Sequence, residues 1–249
     1  MPVQIFDVKP EIAAGSRVDE ARRRAMVEEA GRDPEGFWRR EMGRIAWMRA
    51  PRRIKNTSFE GDVSIRWFED GVLNISESCL DRHVEGGRGD QVAILWEGDD
   101  PNADARVTYR DLLARVCRLA NAMKALGVRR GDRVSIYLPM IVEAAVAMLA
   151  CARLGAVHSI IFGGFSPDSL ASRMQDCEST LLITADEGRR GGRTVPLKAN
   201  ADEALRSCPT VKAVIVARNT GGAVTMQEGR DHDWATLCDA QSAECAPEP

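Results

Sequence analysis

Residues 133–161 read RVSIYLPMIVEAAVAMLACARLGAVHSII, and this stretch decides the fold class. Arg133 to Leu138 is a β-branched run of strand length, Ile141 to Leu154 carries a helical pattern, and Ala156 to Ile161 is again a strand. The same alternation continues on both sides. Upstream, Tyr109 to Leu126 places Leu112, Val116, Leu119 and Met123 at helical spacing, with Gly127 suited to a C-cap. Downstream come a helix at Pro167 to Asp176, a strand at Thr180 to Ala185, a helix at Lys198 to Cys208 and a strand at Val211 to Ala217. Short apolar strands alternating with helices predict an α/β fold, a largely parallel sheet flanked by helices. Ligands of such sheets sit outside the carboxyl ends of the strands. Two of the loops at those ends are glycine-rich.

Toward the N-terminus the pattern changes. Asp19 to Ala30 reads as a helix rich in Arg, Glu and Ala. Pro34 to Met48 reads as a second helix, with Phe37, Met42, Ile45 and Met48 on one face. Ala50 to Asp62, broken by Pro51, Asn56 and Gly61, reads as an extended linker. A short helix over Ser76 to His83 and a turn at Gly86, Gly87 and Gly89 lead to a strand at Val92 to Trp96. These features predict a helical N-terminal extension with its linker over residues 1–84 and an α/β subdomain over residues 85–249. The tail from Asn219 to Pro249 has weak periodicity. Trp234 is its one large anchor, and Ala246-Pro247-Glu248-Pro249 reads as linker.

The chain has 249 residues, 44% hydrophobic and 29% charged, with a formal net charge of -3. That is the composition of a folded globular protein with a sizeable core. It carries no general attraction to nucleic acid or to an anionic membrane. Of 34 Lys and Arg residues only five are lysines, Lys9, Lys55, Lys124, Lys198 and Lys212, a bias read as nucleotide composition rather than function. The seven cysteines, at 79, 117, 151, 177, 208, 238 and 245, have no Cys-x-x-Cys spacing. They read as reduced structural thiols of a cytoplasmic protein. Met1 to Ala14 lacks the pattern of a signal peptide, and the apolar run Ala144 to Ala152 is too short to span a bilayer.

Two loops carry binding chemistry. Glu187-Gly188-Arg189-Arg190-Gly191-Gly192-Arg193 follows the strand that ends near Ala185. Its glycines permit a tight turn that aims Arg190 and Arg193 at one ligand, and guanidinium forks suit phosphate. On spacing alone, a solvated arginine-bearing turn is the plainer reading. Phe162-Gly163-Gly164-Phe165-Ser166 follows the strand that ends at Ile161. Ser166 is placed to cap the next helix with Pro167 at its first position, and the glycines allow close approach of a ligand. Alone, a strand-to-helix turn without a ligand is the plainer reading of this loop. His158 suits a buried or capping role, and His83 and His232 surface roles. No histidine has a partner at metal-ligand spacing. Asp81 and Arg82 read as members of local ion pairs. There is no Walker loop, dinucleotide fingerprint or nucleophile elbow, so spacing alone identifies no catalytic centre.

Taken together, several stretches resemble one family. They are Trp67-Phe68-Glu69-Asp70-Gly71 with Leu73-Asn74, Cys79-Leu80-Asp81-Arg82-His83, Tyr137-Leu138-Pro139-Met140, Glu143 through Ser159, Phe162-Gly163-Gly164-Phe165-Ser166-Pro167, and Ile183 through Gly188 with Arg190-Gly191-Gly192-Arg193. From about Trp38 to the last residue the chain is similar to the AMP-forming acetyl-CoA synthetases among the adenylate-forming enzymes. The resemblance implies the incomplete first part of that family's large domain. It also implies a ligase that joins acetate to ATP and then transfers the acetyl group to the CoA thiol. By this resemblance Arg190 and Arg193, with Gly191 and Gly192 between them, hold phosphates of CoA's nucleotide end, and Phe162, Gly163 and Gly164 lie against that nucleotide. Ser78 stands where the family usually has Asn, which touches only a local hydrogen bond.

The family's Ser/Thr/Gly-rich phosphate loop, acetate pocket, ribose-binding Asp and catalytic Lys correspond to no residue of this chain, and neither do ligands for the expected Mg2+. The expectation is therefore a segment that contributes part of a CoA site and is inactive alone, its partners being CoA and the remainder of the synthetase. A propionate-type sister enzyme stays open, because the acyl pocket lies outside these residues. A non-catalytic CoA-binding module, losing CoA on Arg190→Ala plus Arg193→Ala, stays open too. So does a relic with bare apolar surface and a tendency to aggregate.

Overall fold

The computed structural model describes residues 6–100 and 102–249, so the first five residues of the Met1 to Ala14 reading lie outside the described ones. The chain forms two compact units. The smaller holds Arg49–Val72 with the segment that ends at Ile45, and the larger holds Leu73–Pro249 with Ala46–Met48.

In the smaller unit, helices α1 (Pro10–Gly15), α2 (Glu20–Arg32) and α3 (Pro34–Glu41) precede an antiparallel pair, β1 (Lys55–Ser58) and β2 (Ser64–Trp67). Asp19 and Asp33 cap α2 and α3 by accepting from Arg22 N and Gly36 N. The helix read over Pro34 to Met48 stops at Glu41 and tightens into a 3₁₀ turn at Met42–Arg44. The expected extended linker is instead half of a hairpin. Its Gly61, at φ 64°, serves the turn, and Arg52 N and Arg53 N donate to the Asp70 carboxylate. Extended residues without alternating burial look the same in sequence whether they pair or not.

The larger unit begins with wide, π-type helical turns at Glu77–Asp81 and Val84–Arg88, which take in most of the expected glycine turn. An antiparallel hairpin follows, β3 (Val92–Glu97) with β4 (Asp104–Thr108). Thr108 then caps α4 (Tyr109–Ala125), its side chain accepting from Asp111 N. Gly127, at φ 91°, ends that helix as its spacing predicts. The expected alternation comes next: β5 (Arg133–Tyr137), α5 (Val142–Arg153), β6 (Val157–Ile160), α6 (Pro167–Asp176), β7 (Leu181–Ala185), a small hairpin β8 (Gly188–Arg190) and β9 (Arg193–Val195), α7 (Leu197–Leu205) and β10 (Ala213–Ala217).

The tail adds β11 (Asp231–Asp233) and α8 (Trp234–Asp239), neither of which its weak periodicity announces. The sheet order is β11-β10-β7-β5-β6, every pair parallel. β7 and β10 are buried throughout, which is why they read as near-continuous apolar runs, interrupted only by Thr184, rather than as alternations. β6 lies at an edge, and His158, expected to be buried or capping, is exposed there. His83 and His232 are half-buried rather than on the surface, His83 packing 4.7 Å from the Tyr109 ring.

Beneath the β10–β11 edge lies a charged cluster that the sequence does not announce. Lys198, 1% exposed, donates to both Asp202 oxygens and to Thr225 O and sits 2.8 Å from Asp231. Arg230 bridges the same two carboxylates. Burial pushes the Asp231 carboxyl up, but Arg230, Lys198 and the Gln227 amide outweigh it and hold its pKa below the usual value. A depressed native pKa means stability present above the unfolded value, near 4, and lost as pH falls through the native one. Asp231→Asn is expected to lower stability at neutral pH and to flatten the loss of stability below about pH 4, read from urea titrations at several pH values.

Candidate functional site

Three loops meet at the carboxyl ends of β5, β6 and β7. Tyr137, the last residue of β5, is buried, and its hydroxyl donates to Phe165 O at 2.9 Å. Gly163 O lies 3.3 Å away, and Asn200 of α7 donates to the same hydroxyl. Burial raises the Tyr137 pKa, with the Asn200 bond working against it, so the phenol stays protonated and can donate. Tyr137 thereby fixes the turn after β6, which closes with Phe165 N on Phe162 O. Ser166 then caps α6, accepting from Ser169 N with Pro167 in the first turn, as its position in the sequence suggests.

The second loop is the hairpin β8–β9, where the sequence reading has only a glycine–arginine loop. Gly191 and Gly192 both have positive φ, 56° and 74°, the geometry of a two-residue turn that non-glycine residues resist. Arg190 and Arg193 are direct partners across it. Directly opposed residues share one face of a ribbon, and like charges so placed repel. An anion between them relieves that repulsion.

The Arg190 guanidinium lies 5.0 Å from the centre of the Phe162 ring, a cation–π distance. A Cβ built on Gly164 would fall 2.6 Å from Phe162 Cε1 and 3.1 Å from an Arg190 terminal nitrogen. Any side chain there would therefore have to push the Phe162 ring aside. At Gly163 a Cβ would meet Leu138 O and Leu197 Cδ2 at ordinary contact distance. Phe162, 52% exposed, offers its free surface to solvent. The structure thus gathers Phe162, Gly164 and Arg190 into one spot, backs it with Gly163, and sets Arg193 beside Arg190 through Gly191 and Gly192. Arg189 lines a cleft of about 350 Å³ with Trp96 and Met140, and a second one with Gly191, Gly192 and Arg193.

The base of the hairpin depends on a residue that sequence reasoning passed over. Asp186, fully buried just beyond β7, accepts from Glu187 N, Asn219 N, Thr220 N and Gly221 N at 2.7, 2.8, 3.3 and 2.9 Å. Asn219 also donates to Glu187 O, and Thr220 to the Glu187 carboxylate. The loop after β10 is thus tied to the entry of the hairpin. A carboxylate directly after the mostly apolar strand Leu181–Ala185 was the available signal. Among the described residues no group of three or more His, Cys, Asp or Glu is placed to hold a metal ion. No helix among them is long and apolar enough to cross a membrane.

Comparison with known proteins places the chain in a class. The AMP-binding enzyme family matches residues 80–248, and the chain belongs to that family. Residues 23–79 match the acetyl-coenzyme A synthetase N-terminus. The chain is 74% identical over 189 residues to an acetyl-coenzyme A synthetase of Nostoc linckia, covering 76% of this chain and 56% of that protein. It is 59% identical over its whole length to the acetyl-coenzyme A synthetase of Parvibaculum lavamentivorans, of which it spans 38%. Among solved structures, acetoacetyl-CoA synthetase from Streptomyces lividans superimposes with a TM-score of 0.78 at 32% identity, over 89% of this chain and 33% of that one. The chain thus spans between about a third and just over half of the proteins it matches.

Proposed function

We propose that this chain is the N-terminal segment of an acetate–CoA ligase that forms acetyl-CoA, AMP and pyrophosphate from acetate, ATP and CoA. Residues 85–249 are its first α/β subdomain and residues 1–84 its extension, working in the cytoplasm. Within it, Arg190 and Arg193 hold phosphate groups of CoA's nucleotide end, and the surface of Phe162, Gly163 and Gly164 receives the nucleotide itself. The observation that supports this reading most is the pairing of Arg190 with Arg193 across a two-glycine turn, with Arg190 over Phe162. Two guanidinium forks on one face of a ribbon suit a phosphate group, and an exposed ring suits a purine.

Calorimetric titration with CoA is the test. Charge-assisted hydrogen bonds contribute about 1.5–3 kcal/mol each, so Arg190→Ala with Arg193→Ala is expected to weaken CoA at least tenfold. Gly164→Ala is expected to weaken it as well, by moving Phe162. The chain alone is expected to show no acetate-, ATP- and CoA-dependent turnover. CoA affinity unchanged in the double variant would remove the assignment of the arginines. Turnover by the chain alone would remove the view that it is a segment.

A further inference from the structure

The two loops of the candidate site meet beneath its surface, on residues that offer nothing to a ligand themselves. Leu197, the first residue of α7, is 1% exposed and lies between them. A Cβ on Gly163 would meet its Cδ2 at 3.5 Å, and one on Gly188 would meet its Cδ1 at 3.4 Å. Gly163 belongs to the turn after β6 and Gly188 opens the β8–β9 hairpin. One leucine therefore packs against the base of both loops.

Apolar contact of this kind has no direction. Direction comes from the Tyr137 hydroxyl. Tyr137 is fully buried, and its main chain is held to β7 by Thr184, whose hydroxyl donates to Tyr137 O at 3.0 Å. A phenol gives one proton and accepts at the same oxygen. Here the proton goes to Phe165 O at 2.9 Å, and the accepted bond comes from Asn200 Nδ2 at 3.3 Å. Phe165 closes the turn that carries Phe162, while Asn200 lies near the start of α7, which begins two residues beyond β9. A chain of hydrogen bonds thus runs from the exit of the arginine hairpin, through one hydroxyl, to the turn that holds the ring. The direct contact between Arg190 and Phe162 is a cation–π pair whose ring is 52% exposed, and exposure is where such attraction is weakest. The buried link is the firmer of the two.

We propose that Tyr137 and Asn200 are positioning residues for CoA: through the Tyr137 hydroxyl they hold the Phe162 turn in register with the Arg190–Arg193 ribbon, so that base and phosphates meet one rigid surface. This rests on the CoA reading of the two loops. Calorimetric titration with CoA, run beside proton NMR of the ligand-free chain, tests it. Tyr137→Phe is expected to weaken CoA about fivefold, one hydrogen bond's about 1 kcal/mol converted to affinity. Asn200→Asp keeps the side chain's size but replaces its donor with an acceptor. It draws the phenol proton away from Phe165 O and is expected to give a similar loss.

Ser135→Ala is the control. It deletes the buried bond between Ser135, also on β5, and Ser179, and is expected to lower the thermal midpoint without changing CoA affinity. In a Phe162→Ala background, Tyr137→Phe is expected to cost less than twofold, because the residue through which it acts is gone. In the spectrum, the Arg190 side-chain protons are shifted by the ring they lie over. They are expected to move toward their unshifted positions in Tyr137→Phe and not in Ser135→Ala.

A Tyr137→Phe chain that loses only thermal stability, with CoA affinity and Arg190 shifts intact, overturns the proposal. So does the full fivefold loss persisting in the Phe162→Ala background, which would make Tyr137 a support of the fold at large. If the unaltered chain takes up no CoA, the CoA reading falls instead. The Arg190 shifts, read without ligand, still decide whether Tyr137 sets the register of the two loops.

Discussion

Arg153→Met is expected to destabilise the larger unit by about 3–5 kcal/mol, the cost of breaking a buried ion pair by removing one partner. Arg153 is 3% exposed. Its two terminal nitrogens grip the Asp81 oxygens at 2.8 and 2.9 Å, and its Nε donates to Cys245 O at 2.5 Å. Methionine fills the stem's volume and supplies none of these donors. The Asp81 carboxylate then keeps its desolvation without its countercharge, and Cys245 O keeps only the weak, long contact from the Cys117 thiol.

Against a total stability of about 5–15 kcal/mol this is a large fraction, and at about 2–4 °C per kcal/mol the midpoint should fall by roughly 10 °C. Lysine in its place cannot form the fork, so Arg153→Lys should recover only part. Pairing Arg153→Met with Asp81→Leu should recover more, because both charges then leave together. Urea unfolding of the four proteins checks this. A loss under 1 kcal/mol for Arg153→Met would show that the pair is solvated in solution. Limited proteolysis adds a second readout: residues 245–248 should be cut faster in Arg153→Met, since the Cys245 tether is gone.

Asp81 also shows where the sequence stops being informative. An ion-pair role was legible from its neighbours, but its partner is 72 residues away, and no local pattern encodes a contact made by tertiary packing. The same division runs through the whole molecule. β5, α5, β6, α6, β7, α7 and β10 were legible because each repeats its apolar residues with the period of its own geometry. β1, β2, β4, β8, β9 and β11 were not, because short strands with exposed faces carry no such period. At the candidate site, Gly191 and Gly192 could be read as a turn and Ser166 as a cap, since those roles are local. That Arg190 lies over Phe162, 28 positions away in sequence, depends on the crossover from β6 to β7. Arg190 as a phosphate ligand became readable only through resemblance to a family. Tyr137 and Asp186, which hold the two loops in place, looked like the polar ends of strands.

Asp186→Ala is expected to cost about 3 kcal/mol and to weaken CoA together with it. The carboxylate accepts from four backbone amides on two loops, and it is fully buried. Alanine leaves those donors without their acceptor, at about 1–3 kcal/mol for each that water cannot reach. Some reach water once the loop loosens, which keeps the total below a simple sum. The loosening is itself the functional effect. Lys198 N donates to Asp186 O, and Asn219 donates to Glu187 O, so the strand end and the loop after β10 together hold the root of the β8–β9 hairpin.

When that root frays, Arg190 and Arg193 no longer share a fixed face, and part of the binding energy goes into ordering them. A tenfold loss of CoA affinity follows from about 1.4 kcal/mol of such ordering. Asp186→Asn keeps one carbonyl oxygen in place and should fall between wild type and Asp186→Ala in both measurements. Hydrogen exchange separates this from general destabilisation: amides of residues 188–195 and 219–221 should exchange faster in Asp186→Ala while those of β5 and α4 change only by the global loss. Uniform acceleration across the unit, with CoA affinity unaltered at temperatures where the variant is folded, would show that Asp186 supports the fold without positioning the arginines.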